Sequence, residues 1–202
     1  MQRRSIRKSP QIWLLALVLI IFLFTSLAPL EKTLGVNTRI VYLHGAWVWA
    51  SLVTIMAAGL TGILALIIRK SGYHTWSRAL GRAGLALWLF NLPISLYVMQ
   101  ANWNGLFFAE PRWRIPFTFS VVGLLLQTGL SFMRSSWASV ANLLYALALL
   151  LTMQGLEAVL HPVSPVFSSG SILIRLFWAV LLVLLVLLAW QVARLFQRLE
   201  KA

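Results

Sequence analysis

Very few side chains in this sequence can do chemistry. The chain has no cysteine and no aspartate, and only four glutamates and three histidines stand among 202 residues. His44 lies in Leu43-His44-Gly45-Ala46-Trp47, at the front of a long apolar run, and His161 lies in Glu157-x-x-x-His161-Pro162, just behind another. Two neutral imidazoles held on rigid helix ends can ligate a metal ion or both faces of a haem iron. They can equally be solvated interfacial histidines, since two histidines make a small ligand set. Glu157 sits four residues before His161 and would share its helix face. With His44 and Glu110 it could complete a two-histidine-plus-carboxylate metal site, or it could orient the His161 ring, or be an ordinary interfacial acid. His74, the third histidine, reads as a solvated loop residue.

A second concentration of chemistry is the segment Trp103-Asn104-Gly105-Leu106-Phe107-Phe108-Ala109-Glu110-Pro111-Arg112-Trp113-Arg114. It is aromatic and apolar, yet carries an acid, two arginines and turn formers. Such a loop can lie at the bilayer surface as a platform for a flat apolar ligand, with rings against Trp103, Phe107 and Phe108 and carboxylates near Arg112 and Arg114. An interfacial aromatic belt would account for the rings alone. The apolar run Leu106 to Ala109 is not explained by a belt.

The elements that must position these residues follow from composition. The chain is 60% hydrophobic and 10% charged, with a mean hydropathy of +0.86, whereas a soluble domain carries about 25% charged residues. This predicts an all-α membrane protein. Six spans are expected, near residues 12–30, 46–68, 80–98, 116–133, 137–156 and 172–196, each close to the roughly 20 residues that cross a bilayer. No repeat or linker divides them, so the chain reads as a single six-span domain, residues 1–202. Arg82 is expected to snorkel to headgroups from the end of the third span. Pro93 should bend that span, and Asn91, Gln127 and Asn142 should face neighbouring helices. Ala58-x-x-x-Gly62 is a small-xxx-small pair that permits close helix approach.

The basic residues fix an expected orientation. One set of loops and ends holds Arg3, Arg4, Arg7, Lys8, Arg69, Lys70, Arg78, Arg82, Arg134, Arg194, Arg198 and Lys201, and the other only Lys32, Arg39, Arg112, Arg114 and Arg175. The positive-inside rule places both termini in the cytoplasm. His44, the aromatic loop and His161 then share the outer face. The net charge of +13 serves topology and contact with anionic headgroups, which removes nucleic acid as a partner. Without cysteine there are no disulfides, iron–sulfur clusters or covalent c-type haem attachment in this chain. Paired carboxylates for a proton relay have no candidates, and zinc-protease, serine-hydrolase and P-loop patterns are missing.

The order of these features resembles the cytochrome c assembly haem-handling family, specifically its short six-span CcmC-type members. The resemblance rests on Val41-Tyr42-Leu43-His44, on the loop Trp103 to Arg112, and on Leu160-His161-Pro162, and it covers Arg39 to Phe196. It implies that His44 and His161 are axial ligands to a non-covalent haem b, with the loop as platform between them. Trp103 matches the loop's first tryptophan, Glu110 stands where the family has aspartate, and Arg112 matches the arginine that follows. The family's central tryptophans are replaced by Leu106, Phe107 and Ala109, so the signature is reduced to W-x6-E-x-R. The resemblance further implies residence in the bacterial cytoplasmic membrane, transfer of haem to an outer-side haem chaperone, and association with ATP-binding-cassette transporter subunits. The protein would then be a transfer component more than a classical enzyme. Two rival readings are a permease-like subunit for a small hydrophobic or anionic solute, and an anchor that docks a partner through the aromatic loop.

Overall fold

Backbone polar groups in hydrocarbon must be satisfied within the segment, so long apolar stretches fold as helices. The structure, a computed structural model, describes residues 10–32, 34–154, 166–167 and 169–200. Among them are six helices: α1 (Pro10–Ser26), α2 (Thr38–Ile68), α3 (Ser71–Trp103), α4 (Pro111–Ser131), α5 (Ser135–Gln154) and α6 (Ile172–Leu199). Four of these, α2, α3, α5 and α6, are long and apolar enough to cross a membrane, and on that ground this is an all-helical membrane protein. The apolar faces left outside the bundle, such as Leu15, Leu19 and Phe22 on α1 or Leu173, Leu176, Val180 and Val183 on α6, match hydrocarbon rather than water.

Of the helices that exceed their sequence-based bounds, α2 and α3 do so by the most, with consequences for function. The second starts at Thr38 rather than Ala46, so His44 sits inside a helix and not in the loop before it. The third starts at Ser71 rather than Leu80 and runs on to Trp103. It follows α2 after only Arg69 and Lys70, because Arg69 takes a left-handed φ of 57° and donates its N–H to the Ala65 carbonyl at 3.0 Å, closing the helix sharply. Hydropathy misses the first turns of α3 because they are polar. Packing holds them: Ser77 Oγ donates to the Ala58 carbonyl of α2 at 2.9 Å, and His74 Nδ1 lies 2.7 Å from Ser139 Oγ of α5. His74 is therefore a half-buried helix-packing residue, not a solvated loop residue.

The second helix is the hub, packed against α3, α5 and α6, with α1 resting mainly on α6 and α4 on α3 and α5. Close approach of α2 and α5 requires small residues. A Cβ at Gly62 would stand 2.5 Å from the Ser139 carbonyl oxygen, so Gly62 of the small-xxx-small pair sets the contact with α5, while Ala58 packs with Leu80, Ala83 and Ala193. Gly59, outside the pair, would place a Cβ 3.0 Å from Ala146 Cβ. Three apolar clusters fill the bundle. The first joins Tyr42, Ala46 and Ala50 of α2 to Phe177, Leu181 and Leu185 of α6, where Phe24 of α1 stacks on Phe177 at 4.4 Å. The second gathers Ile55, Trp88, Tyr145 and Leu149, and the third Ala58, Leu80, Ala83 and Ala193.

Gln127 and Asn142 face neighbouring helices, as expected from their positions in apolar stretches. Gln127 Nε2 donates to Asn142 Oδ1 at 2.8 Å, and Asn142 Nδ2 donates to the Ser77 carbonyl at 2.8 Å. Arg82 does not snorkel. It forms an ion pair with Glu200, and Arg78 joins the same carboxylate at 3.2 Å while donating to the Met133 carbonyl at 2.6 Å.

Candidate functional site

At the other end of the bundle the helices diverge and leave a cleft of about 380 Å³, within the size range of small-molecule sites. Its walls come mainly from α2, α3 and the start of α4, with Met153 of α5, Trp178 of α6, and Leu34, Val166 and Phe167 completing them. His44 projects from the second turn of α2, with Val41, Val48 and Leu52 on either side along the same helix. Gly45 brings this face against Trp178 of α6, whose indole nitrogen would lie 3.5 Å from a Cβ placed there. Along α3 the cleft runs from Trp103 down to Trp88, roughly four helical turns, past Met99, Ser95 and Asn91. Trp88 is fully buried and donates its indole N–H to the Pro116 carbonyl at 3.1 Å, which ties α3 to α4 beneath the cleft.

The chain between α3 and α4 is much shorter than hydropathy suggests. Trp103 ends α3, and Asn104 turns the backbone with a left-handed φ of 53°, a conformation asparagine tolerates. Pro111 then opens α4, where a missing N–H costs nothing. Glu110, at the joint, is buried with 2% of its surface exposed and lines the cleft. Its backbone closes the turn, the N–H donating to the Phe107 carbonyl at 3.0 Å and the carbonyl accepting from the Trp113 and Arg114 N–H groups at 3.0 and 2.9 Å. Arg112 follows in the first turn of α4, exposed at the mouth.

The expected site residues thus divide into three groups. His44, Trp103, Glu110 and Arg112 converge on the cleft. Phe107, Phe108 and Arg114 do not line it and are exposed on its rim. Phe107 meets Trp103 edge-on at 5.9 Å, and Phe108 meets Trp113 edge-on at 5.0 Å, with Trp113 stacked on Phe117. The two phenylalanines therefore brace the tryptophans and present an apolar edge. His161 and Glu157 lie outside the described residues. Among the described residues no three His, Cys, Asp or Glu side chains stand together, so the described part of the site offers one imidazole rather than a metal-chelating cluster.

Sequence pattern alone leaves several cleft residues unassigned. Asn91, Ser95 and Asn102 all line it from α3; the spacing of the first two, one turn apart, is the signal that could have found them. Trp49, Trp88, Trp178 and Phe167 add aromatic walls, and Phe167 packs edge-on against Trp178 at 5.3 Å. The loop before α2 shapes the rim: Asn37 Nδ2 donates to the Ala101 carbonyl at 2.9 Å, and Leu34 reaches the cleft beside it. The result is a slot with aromatic and aliphatic sides, one imidazole part-way down, a buried carboxylate and a cation at the mouth. Such a slot suits a flat apolar molecule with an anionic edge. No protein-family model matches the chain, and no curated protein does.

Proposed function

We propose that this protein binds haem at the outer face of the bacterial cytoplasmic membrane and presents it for transfer to an outer-side haem chaperone during cytochrome c biogenesis. The supporting observation is the convergence of His44, Trp103, Glu110 and Arg112, from three different helices, on one cleft of about 380 Å³. These are the residues to which the family resemblance assigns haem contacts. Haem is the cargo here, and the residues present fit it. The aromatic and aliphatic walls accept a porphyrin ring, His44 offers a neutral nitrogen to one face of the iron, and Arg112 can meet propionates through charge-assisted hydrogen bonds. His161 is the proposed ligand to the opposite face.

In this reading the chain crosses the membrane six times with both termini in the cytoplasm. The Arg78–Arg82–Glu200 end then faces inward, with Arg69, Lys70, Arg134 and Arg198. The exposed Phe107 and Phe108 form the edge over which haem leaves for its acceptor. Energy and direction are supplied by partners, ATP-binding-cassette transporter subunits, because the chain carries no nucleotide motif of its own.

The test is the visible absorption spectrum of the protein purified in mild detergent and supplied with haem, oxidised and reduced, beside the His44→Ala/His161→Ala double variant. A bis-imidazole spectrum present in the wild type and lost in the variant is the expected result. A wild-type protein that stays colourless would remove the reading.

A further inference from the structure

At the end of the bundle away from the cleft, three arginines gather at one corner. Arg78 gives one arm of its guanidinium to Glu200 at 3.2 Å and the other to the Met133 carbonyl at 2.6 Å. Met133 follows α4 and Glu200 follows α6, so this side chain bridges the ends of those two helices across α3. Arg82, one turn along α3, meets the other oxygen of the same carboxylate and keeps 23% of its side chain exposed. It gives Glu200 one of its five donors among the described residues. Arg134, next in sequence to Met133, is exposed and makes no ion pair among the described residues. Phe132 and Trp137, 87% and 60% exposed, flank Arg134 in sequence. Such a mixture of bare rings and cations suits the level where hydrocarbon gives way to headgroups.

Beyond this corner one strip of α3 is uncovered. Helices α4 and α6 both pack on α3, yet they do not touch each other among the described residues. Leu85 on one side of the strip packs over Gly123 of α4, and Ala83 on the other packs with Ala193 of α6. Between them Ala86, Leu89 and Pro93 follow Arg82 along one helix face, and none of the three is buried. We infer that the corner and the strip bind one anionic phospholipid. Arg82 and Arg134 hold its phosphate, and an acyl chain lies over Ala86, Leu89 and Pro93 between α4 and α6. Charge-assisted hydrogen bonds supply the headgroup contact, as in other basic pockets between membrane helices. Charge also selects the lipid: a choline headgroup would bring its own cation against the arginines. The site is independent of the haem reading. It differs from the general attraction of basic loops in needing two particular arginines and one open strip.

The experiment uses the full chain in mild detergent, freed of lipid, and follows thermal unfolding by circular dichroism. The probes are phosphatidylglycerol, phosphatidylcholine with the same acyl chains, and soluble glycerol phosphate. Phosphatidylglycerol should raise the midpoint by about 5 °C at a hundredfold excess over its dissociation constant. Phosphatidylcholine should raise it by clearly less, and glycerol phosphate should leave it unchanged. The Arg82→Gln/Arg134→Gln variant should lose the response to phosphatidylglycerol. The Arg69→Gln/Lys70→Gln variant removes the same charge from the turn between α2 and α3 and should keep it. Ala86→Phe fills the strip without altering charge and should lose the response too, which decides the matter if the arginine variant fails to fold. Equal stabilisation by the two phospholipids, or an equal loss in the Arg69/Lys70 variant, would overturn the site in favour of diffuse attraction. Stabilisation by glycerol phosphate to the same extent would show a free-phosphate site and overturn the lipid.

Discussion

The two ends of this bundle treat polar groups in opposite ways. At the end where α6 finishes, Glu200 is shared by Arg78 and Arg82, and Arg78 also donates to the Met133 carbonyl. Just inside, Ser77, Asn142 and Gln127 are linked in a chain of hydrogen bonds across α3, α5 and α4. At the other end a histidine, an asparagine, a buried glutamate and an arginine surround an open volume. Similar residue types close the protein on itself at one end and face a cleft at the other. Charge or polarity in a membrane bundle therefore marks a ligand site only where the helices leave space for the ligand. Where they do not, it marks a joint between helices.

This contrast can be broken from either side, and the closed end should respond most strongly in stability. Glu200→Ala leaves Arg78 buried without its counter-charge and is expected to lower stability by about 3 kcal/mol. Thermal unfolding in detergent would show it, and the proposed haem site at the other end predicts no change in haem affinity. A parallel loss of haem would mean that the two ends are not independent. At the open end, the proposed haem site predicts that His44→Ala weakens haem binding by on the order of 100-fold, or about 2.7 kcal/mol, with a smaller change in the unfolding midpoint than Glu200→Ala. Spectral titration and unfolding on the same preparation separate the two effects.

Asn142→Leu tests the hydrogen-bonded chain by removing both the acceptor for Gln127 and the donor to Ser77. A stability loss of about 2 kcal/mol is expected, again without effect on haem. If the variant is as stable as wild type, the chain is incidental to packing. The smallest effect belongs to the mouth. Arg112→Gln should cost about tenfold in haem affinity, and the wild-type advantage should shrink in high salt, because an exposed charge-assisted contact is screened. Haem with esterified carboxylates should bind wild type and variant alike.

Much of the cleft's chemistry is legible in the sequence, though its depth is not. His44, Trp103, Glu110 and Arg112 are unusual types at the edges of apolar runs, and hydropathy places them at one boundary. Phe107, Phe108 and Arg114 belong to the same run of sequence and stand outside the cleft, because the turn at Asn104 and Pro111 directs only part of that segment inward. The early start of α3 is hidden by the polar character of Ser71 to Arg78, which is held in place by α2 and α5 rather than by hydrophobicity. Asn91 can be recognised as facing its neighbours but not as lining a cavity, and no sequence expectation marks Ser95.

By itself the sequence determined that the protein is helical and apolar throughout, and where its helices begin and end to within a few turns. It also narrowed the candidates for acting on a ligand to a few residues, His44, Trp103, Glu110 and Arg112 among them, because these are properties of local composition and of hydrogen bonding along one chain. The tertiary structure alone decided that Glu200 neutralises Arg78 and Arg82, which stand 122 and 118 residues away. It likewise decided that Glu110 is buried and that Asn91 borders the same space as His44. Those outcomes depend on how closely helices distant in sequence can approach. The approach is set by shape, at positions such as Gly59 and Gly62 where α5 leaves no room for a side chain.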